Sequence, residues 1–179
     1  MIGLARVKHT FSVYCQFQIT MTIAHFLDQL DYTVWANNRT LASIEALPDS
    51  DGKSQAIKLL SHVVAAQFIW YARVSGKPET ALPVWGILAL AEIRERIPLI
   101  DKLWKDYLAN ATDSDLLARS FSYKNTLGNE YTNTLLEMLT HFPIHSAYHR
   151  AQIATLVRQN GGSPAVTDYI QFAREEHKR

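Results

Sequence analysis

The segment TLLEMLTHFPIHSAYHRAQIATLVRQ, residues 134 to 159, repeats apolar residues at helical intervals and threads histidines through the pattern at positions 141, 145 and 149. Leu135, Leu139, Phe142, Ile153 and Leu156 form the apolar stripe, and Asn160-Gly161-Gly162 supplies the stop, which predicts one long helix. Residues four apart on a helix share a face, offset by roughly 40° and about 6 Å along the axis, so two such imidazoles can reach one ion. His141 and His149 are about 12 Å apart along the axis, further than two ligands at ~2 Å from a metal comfortably span. Pro143 removes a backbone donor and predicts a bend just before His145. His145 and His149 lie beyond that bend and are the favoured pair, and a third ligand has to come from another helix.

Three further amphipathic helices are legible. Residues 23 to 46 set Ile23, Leu27, Leu30, Val34, Leu41 and Ile44 on one stripe that Pro48 ends. Residues 55 to 75 align Leu59, Val63, Ala66, Ile69 and Trp70, with Gly76 and Pro78 as the stop, and His62 falls on the buried face. Residues 89 to 109 carry Ile93, Ile97, Ile100, Trp104 and Tyr107 in register, with Pro98 expected to kink the helix or mark its beginning. Between residues 119 and 133 the texture changes to RSFSYKNTLGNEYTN, a short β-hairpin around Gly128-Asn129 that must pack on the bundle, since an isolated hairpin is marginal. The expected fold is therefore all-α, a four-helix bundle, antiparallel or mixed, with a small β-hairpin inserted before the last bundle helix. The tail from Ser163 carries Val166, Tyr169 and Phe172 before a charged end, and is expected to dock briefly and fray.

The chain has 179 residues, 47% hydrophobic and 20% charged, enough for one domain with a sizeable core. Eighteen Lys plus Arg against seventeen Asp plus Glu leave a formal charge of +1, and no basic run neutralises successive phosphates, which argues against nucleic acid as a partner. Cys15 is the single cysteine and cannot form an internal disulfide, so a reducing cytoplasm is expected. No stretch is apolar enough to span a membrane. Residues 1 to 20 make a poor signal peptide and are read as an N-terminal extension loosely attached to a single domain over 21 to 179.

A histidine on an apolar helix face is ordinarily a hydrogen-bonded core residue, and H-x-x-x-H without an adjoining Glu lacks the general base of a zinc protease. Imidazoles gathered in one core without a metal would, however, need several separate partners. YTVWANNRTL, LLSHVVAAQFIWYARVSG, NTLGNEY and HFPIHSAYHRAQIATLVRQNGGSPAVTDY together resemble the DinB/YfiT-like proteins, a family grouped as metalloenzymes, over residues 24 to 172. The resemblance implies a four-helix bundle, often dimeric, with a divalent metal held by three histidines, here His62, His145 and His149. The family often has Asn before the middle histidine, Gly after the arginine and an acidic residue following the first histidine, where this chain has Ile144, Ala151 and Gln67. Gln152 is expected at the surface, with orientation of a ligand or water as the alternative. Arg150 is expected to anchor a neighbouring helix through an Asp or Glu, or else to pair with an acidic substrate group.

Three histidines leave a coordination position open, the mark of a catalytic rather than a closed structural site. A Zn²⁺, Ni²⁺ or Fe²⁺ ion there can lower the pKa of bound water or deprotonate a thiol. The resemblance implies transfer of a low-molecular-weight thiol onto an electrophile, in detoxification or stress response. Metal-dependent hydrolysis of another small molecule is the second expectation, and a non-enzymatic metal-binding or dimeric scaffold the third. His141 is read as a core or rim residue, with an acid/base role as the alternative.

Overall fold

The computed structural model describes residues 21–125 and 127–176, so the expected extension over residues 1 to 20 lies outside the described residues. The elements run α1 (Ile23–Glu45), α2 (Asp51–Ser75), a 3₁₀ turn (Pro78–Thr80), α3 (Leu90–Leu108), α4 (Asp115–Ala118), β1 (Ser120–Lys124), β2 (Glu130–Thr134), α5 (Leu135–Gln159) and α6 (Tyr169–Glu176). Four long helices and one antiparallel hairpin are thus found as the sequence predicts.

Local chemistry sets the ends of the helices. Thr22 Oγ1 accepts from the His25 amide at the start of α1, and the Asp113 carboxylate accepts from the Ile23 amide at 2.7 Å. Ser50 caps α2 by accepting from the Lys53 amide, and Gly76 ends it at φ 67°, a left-handed conformation that a side chain would strain. Thr134 and Glu137 form a capping box at the start of α5. The start of α2 lies four residues before the predicted Gln55 because the Ser50 cap carries the helix through Gly52. Neither internal proline breaks its helix: α3 runs through Pro98 and α5 through Pro143. Pro98 is exposed, so the carbonyl it leaves without an amide partner can turn to water.

Around the bundle the helices neighbour one another in the order α1, α3, α2, α5, with α1 and α2 on a diagonal. Arg94 pairs with Glu45 and Lys105 with Asp31, so α1 and α3 are antiparallel. Ser50 meets Asn160, and Trp70 meets His141, so α2 and α5 are antiparallel as well. Leu88 binds Ser61 and Trp104 binds Gln67, which makes α2 and α3 run in the same direction. A parallel pair cannot be joined by a tight turn. The segment between α2 and α3 therefore returns along the side of the bundle, and that return positions the site.

The core is apolar and centred on Trp104, fully buried, with Tyr71 and Phe142 rings at 5.7 and 4.7 Å and its indole N–H donated to the Gln67 carbonyl at 3.3 Å. Truncating such a residue to alanine typically costs about 3–5 kcal/mol. The hairpin pairs Ser120 with Thr134 and Tyr123 with Tyr131, and docks on α2 through Arg73, whose guanidinium lies 4.3 Å over Trp70 and 4.0 Å over Tyr123. The tail does more than dock briefly. Helix α6 buries Phe172 against Tyr32 and Trp35, with Trp35 Nε1 donating to Glu175 at 2.9 Å and Tyr169 Oη donating to Asp28 at 2.7 Å.

Candidate metal centre

His62 projects from the middle of α2, and His145 and His149 project from successive turns of α5. Because the two helices are antiparallel, their midpoints meet, and the three imidazoles offer nitrogen atoms all within 4.8 Å of one another. Ring centroids are 5.1 Å apart for His62 and His145, 4.8 Å for His62 and His149, and 4.6 Å for His145 and His149. His62 and His149 are buried and His145 half-buried.

Hydrogen bonds select which nitrogen each ring leaves for a ligand. A carbonyl oxygen only accepts, so the 2.8 Å contact of His62 Nδ1 with the Val84 carbonyl places a proton on Nδ1 and a lone pair on Nε2. The 2.9 Å contact of His149 Nδ1 with Gln152 Oε1 does the same for His149. His62 Nε2 then faces His145 Nε2 at 3.2 Å. With metal–nitrogen bonds of about 2.1 Å, two imidazoles on one ion stand ~3.0 Å apart at a right angle and ~3.4 Å apart in a tetrahedron. The observed spacing of this pair lies between these, and His149, within 4.8 Å of the other two, has to draw closer to complete the set. The donor chemistry therefore fits a divalent ion of the kind imidazole favours, Zn²⁺, Ni²⁺ or Fe²⁺ among them.

Electrostatics favour the neutral, ligating form. Burial, reinforced by His141, His149 and His62, pulls His145 down to about 3. Burial also lowers His62, partly offset by the hydrogen bond to Val84. Both rings are thus neutral at neutral pH. Among the described residues no carboxylate or thiolate joins the group, so an ion held there would keep its full double charge.

The sequence did not single out the connection from α2 to α3. It supplies the Val84 carbonyl, and it lays the Trp85 indole on the His62 ring, centroids 3.9 Å apart and planes within 9°. Trp85 is 53% exposed, unlike the buried Trp104, and it walls a surface cleft of about 460 Å³. A backbone carbonyl has no residue-level signature, although a tryptophan beside a glycine in a connecting segment is a signal of a loop with a fixed task.

His141 is not part of the triad. Its ring centroid lies 4.8 Å from that of His145 and 5.5 Å from that of Trp70, and it lines a separate hollow with Tyr123, Asn133, Glu137 and Met138. Gln152 is at the surface as expected, yet it also orients His149, the role given as the alternative. Arg150 does anchor a neighbouring helix, but through neutral groups: Nη1 donates to Asn37 Oδ1 at 3.2 Å and Nη2 to Tyr32 Oη at 2.9 Å. No Asp or Glu is involved because Arg150 points into the α1 interface, where Asn37 and Tyr32 are the polar side chains within reach. Gln67 is buried, and its carbonyl receives the Trp104 indole.

A mixed-direction four-helix bundle with three imidazoles converging from two antiparallel helices defines a class of tri-histidine helical proteins able to hold a metal ion. The chain belongs to the DinB family, whose sequence profile matches residues 21–179. A curated relative, Protein DinB of Bacillus subtilis (strain 168), is 28% identical over 156 residues, which cover 78% of this chain and 88% of that protein. No solved structure matches the chain significantly. No described helix is long and apolar enough to cross a membrane.

Proposed function

We propose that His62, His145 and His149 hold a divalent ion, Zn²⁺, Ni²⁺ or Fe²⁺, and that the protein is a metal-dependent enzyme transferring a low-molecular-weight thiol onto an electrophile. The observation that carries this reading is the convergence of three imidazoles whose ligating nitrogens lie within 4.8 Å of one another, two of them with Nδ1 engaged so that Nε2 is left for a ligand. Three ligands leave a position for substrate, and an ion with undiminished charge lowers the pKa of a coordinated thiol or water. Val84 and Gln152 keep the rings in the ligating tautomer. Trp85 covers one face of His62 and limits water there.

Thiol transfer is favoured over hydrolysis because a thiol, with a pKa near 8.5, is ionised by the ion alone, whereas hydrolysis also needs a proton donor for its leaving group. No carboxylate stands with the imidazoles among the described residues. His141 is the one observation that favours the hydrolase, since its ring lies one turn from His145. A role in stress response or detoxification, a cytoplasmic location and a homodimeric state belong to the same proposal. Ile144 and Tyr148, exposed one turn apart on α5, support the dimer, which light scattering on the eluting protein tests.

The primary test is metal content by plasma mass spectrometry on untagged protein purified without chelators, with His62→Ala and His145→Ala beside it. Near-stoichiometric metal lost in both variants is the expected result. Loaded protein should then consume a cellular thiol with a generic electrophile; ester or amide hydrolysis without thiol consumption would turn the assignment to the hydrolase.

A further inference from the structure

The cleft beside the imidazoles has an uneven chemistry. Leu59 and Leu156 give it apolar walls from α2 and α5, Trp85 forms a side, and Gln55 and Lys58 are its polar members. Its volume, about 460 Å³, falls in the ~300–1,000 Å³ range of small-molecule sites. Three other surface hollows each include a carboxylate, Glu130 over the hairpin, Asp106 beside α3 and Glu137 near His141. This one has a cation and no acid.

Position ties the cleft to the metal centre. Lys58 and Leu59 precede His62 by one helical turn, about 6 Å along the axis. Leu156 follows His149 by two turns, so the cleft continues the groove between α2 and α5 away from the three rings. Trp85 belongs to both, with its ring stacked on His62 and more than half of its surface exposed. A molecule with one group at the ion and an apolar body along Leu59, Leu156 and Trp85 brings its far end to Lys58.

We infer that the substrate of this centre carries a carboxylate on an apolar body, and that Lys58 is the residue that selects it. The inference rests on the metal-centred reading above for the position of the reacting group. Lys58 does not touch the reacting atoms; it selects by charge at the open rim of the cleft.

The test uses the full chain loaded with Co²⁺, whose thiolate charge-transfer absorption reports thiols at the ion. The probes are 6-mercaptohexanoate and 6-mercaptohexan-1-ol, alike in reach and different in terminal charge. The acid is expected to bind about tenfold more tightly, a difference of about 1.4 kcal/mol. Lys58→Ala should bring the two probes within about twofold of one another, the effect of losing a single charge-assisted contact. Lys58→Glu should reverse the preference, Lys58→Arg should keep it, and Trp85→Ala should weaken both probes alike. Lys58 is exposed, so its replacement leaves the core intact. Equal binding of the two probes by the natural protein, or a preference that survives Lys58→Glu, overturns the inference. Protein that shows no cobalt ligand-field spectrum overturns the metal reading and this inference with it, and the presence or absence of that spectrum tells the two failures apart.

Discussion

His149 and Arg150 are consecutive on α5, about 100° apart around its axis, and they face its two neighbouring helices with opposite outcomes. Arg150 enters the α1 interface, 3% exposed, where Asn37, the Tyr32 hydroxyl and the Tyr32 ring at 5.2 Å receive its charge. Tyr32 in turn donates to the Thr167 carbonyl at 2.8 Å, which ties in the segment before α6. His149 enters the α2 interface, where one nitrogen is held by Gln152 and the other is left over among two more imidazoles. The Arg150 side uses neutral groups to tie three parts of the chain together. The histidine side brings three ring nitrogens to one point, where their partners are each other. The Arg150 cluster joins separate elements through two of its nitrogens, with Nε left without a partner, while the imidazoles face one another across α2 and α5.

That contrast can be broken most directly at the ligands. Replacing His62, His145 or His149 by alanine should take metal from about one equivalent to none, while thermal unfolding of the metal-free protein changes little. A variant that retains full metal removes its residue from the centre. Arg150→Ala should do the reverse, keeping metal but losing about 2–4 kcal/mol in urea unfolding, from a cavity and the acceptors stranded on Asn37 and Tyr32. Loss of metal without loss of stability would show the two sides to be one site. Gln152→Ala should weaken metal binding by about tenfold in a competitive chelator titration, the low end for partners that orient a ligand, since Gln152 is exposed.

Acid gives the smallest and most graded comparison. His145 sits at about 3, against an ordinary 6.5, so below 6.5 the unfolded chain takes up protons that the folded one resists. Stability contributed by the neutral ring is therefore complete above pH 6.5 and lost progressively as the pH falls toward 3. His62 is lowered in the same direction. Arg150 stays charged throughout that window and contributes no slope. Urea midpoints of metal-free natural protein and His145→Ala, close together at pH 7, should separate as the pH falls to 4, with the natural protein losing more.

The sequence exposes those features that repeat. The α5 stripe, the two histidines beyond Pro143 and the hairpin around Gly128 all follow from spacing or turn chemistry, and they are found where expected. The first turn of α2 was hidden by Gly52, whose poor helix propensity is overridden by the Ser50 cap. The partners of Arg150 were hidden because an arginine suggests an acid, while burial at this interface is met by an amide and a phenol. Val84 and Trp85 were hidden most deeply. They belong to no periodic element, and their place follows from α2 and α3 running in the same direction.

This return segment separates two kinds of inheritance within one site. The imidazoles are anchored in helices, where any shift disturbs the core, but the indole beside them rides on a connection that is free to vary in length and composition. Descendants of such a bundle can keep the three imidazoles while reshaping one wall of the cleft beside them, by altering residues 76 to 89. For engineering, that stretch is the natural place to randomise: libraries built there would vary the wall beside His62 without rebuilding the helical scaffold.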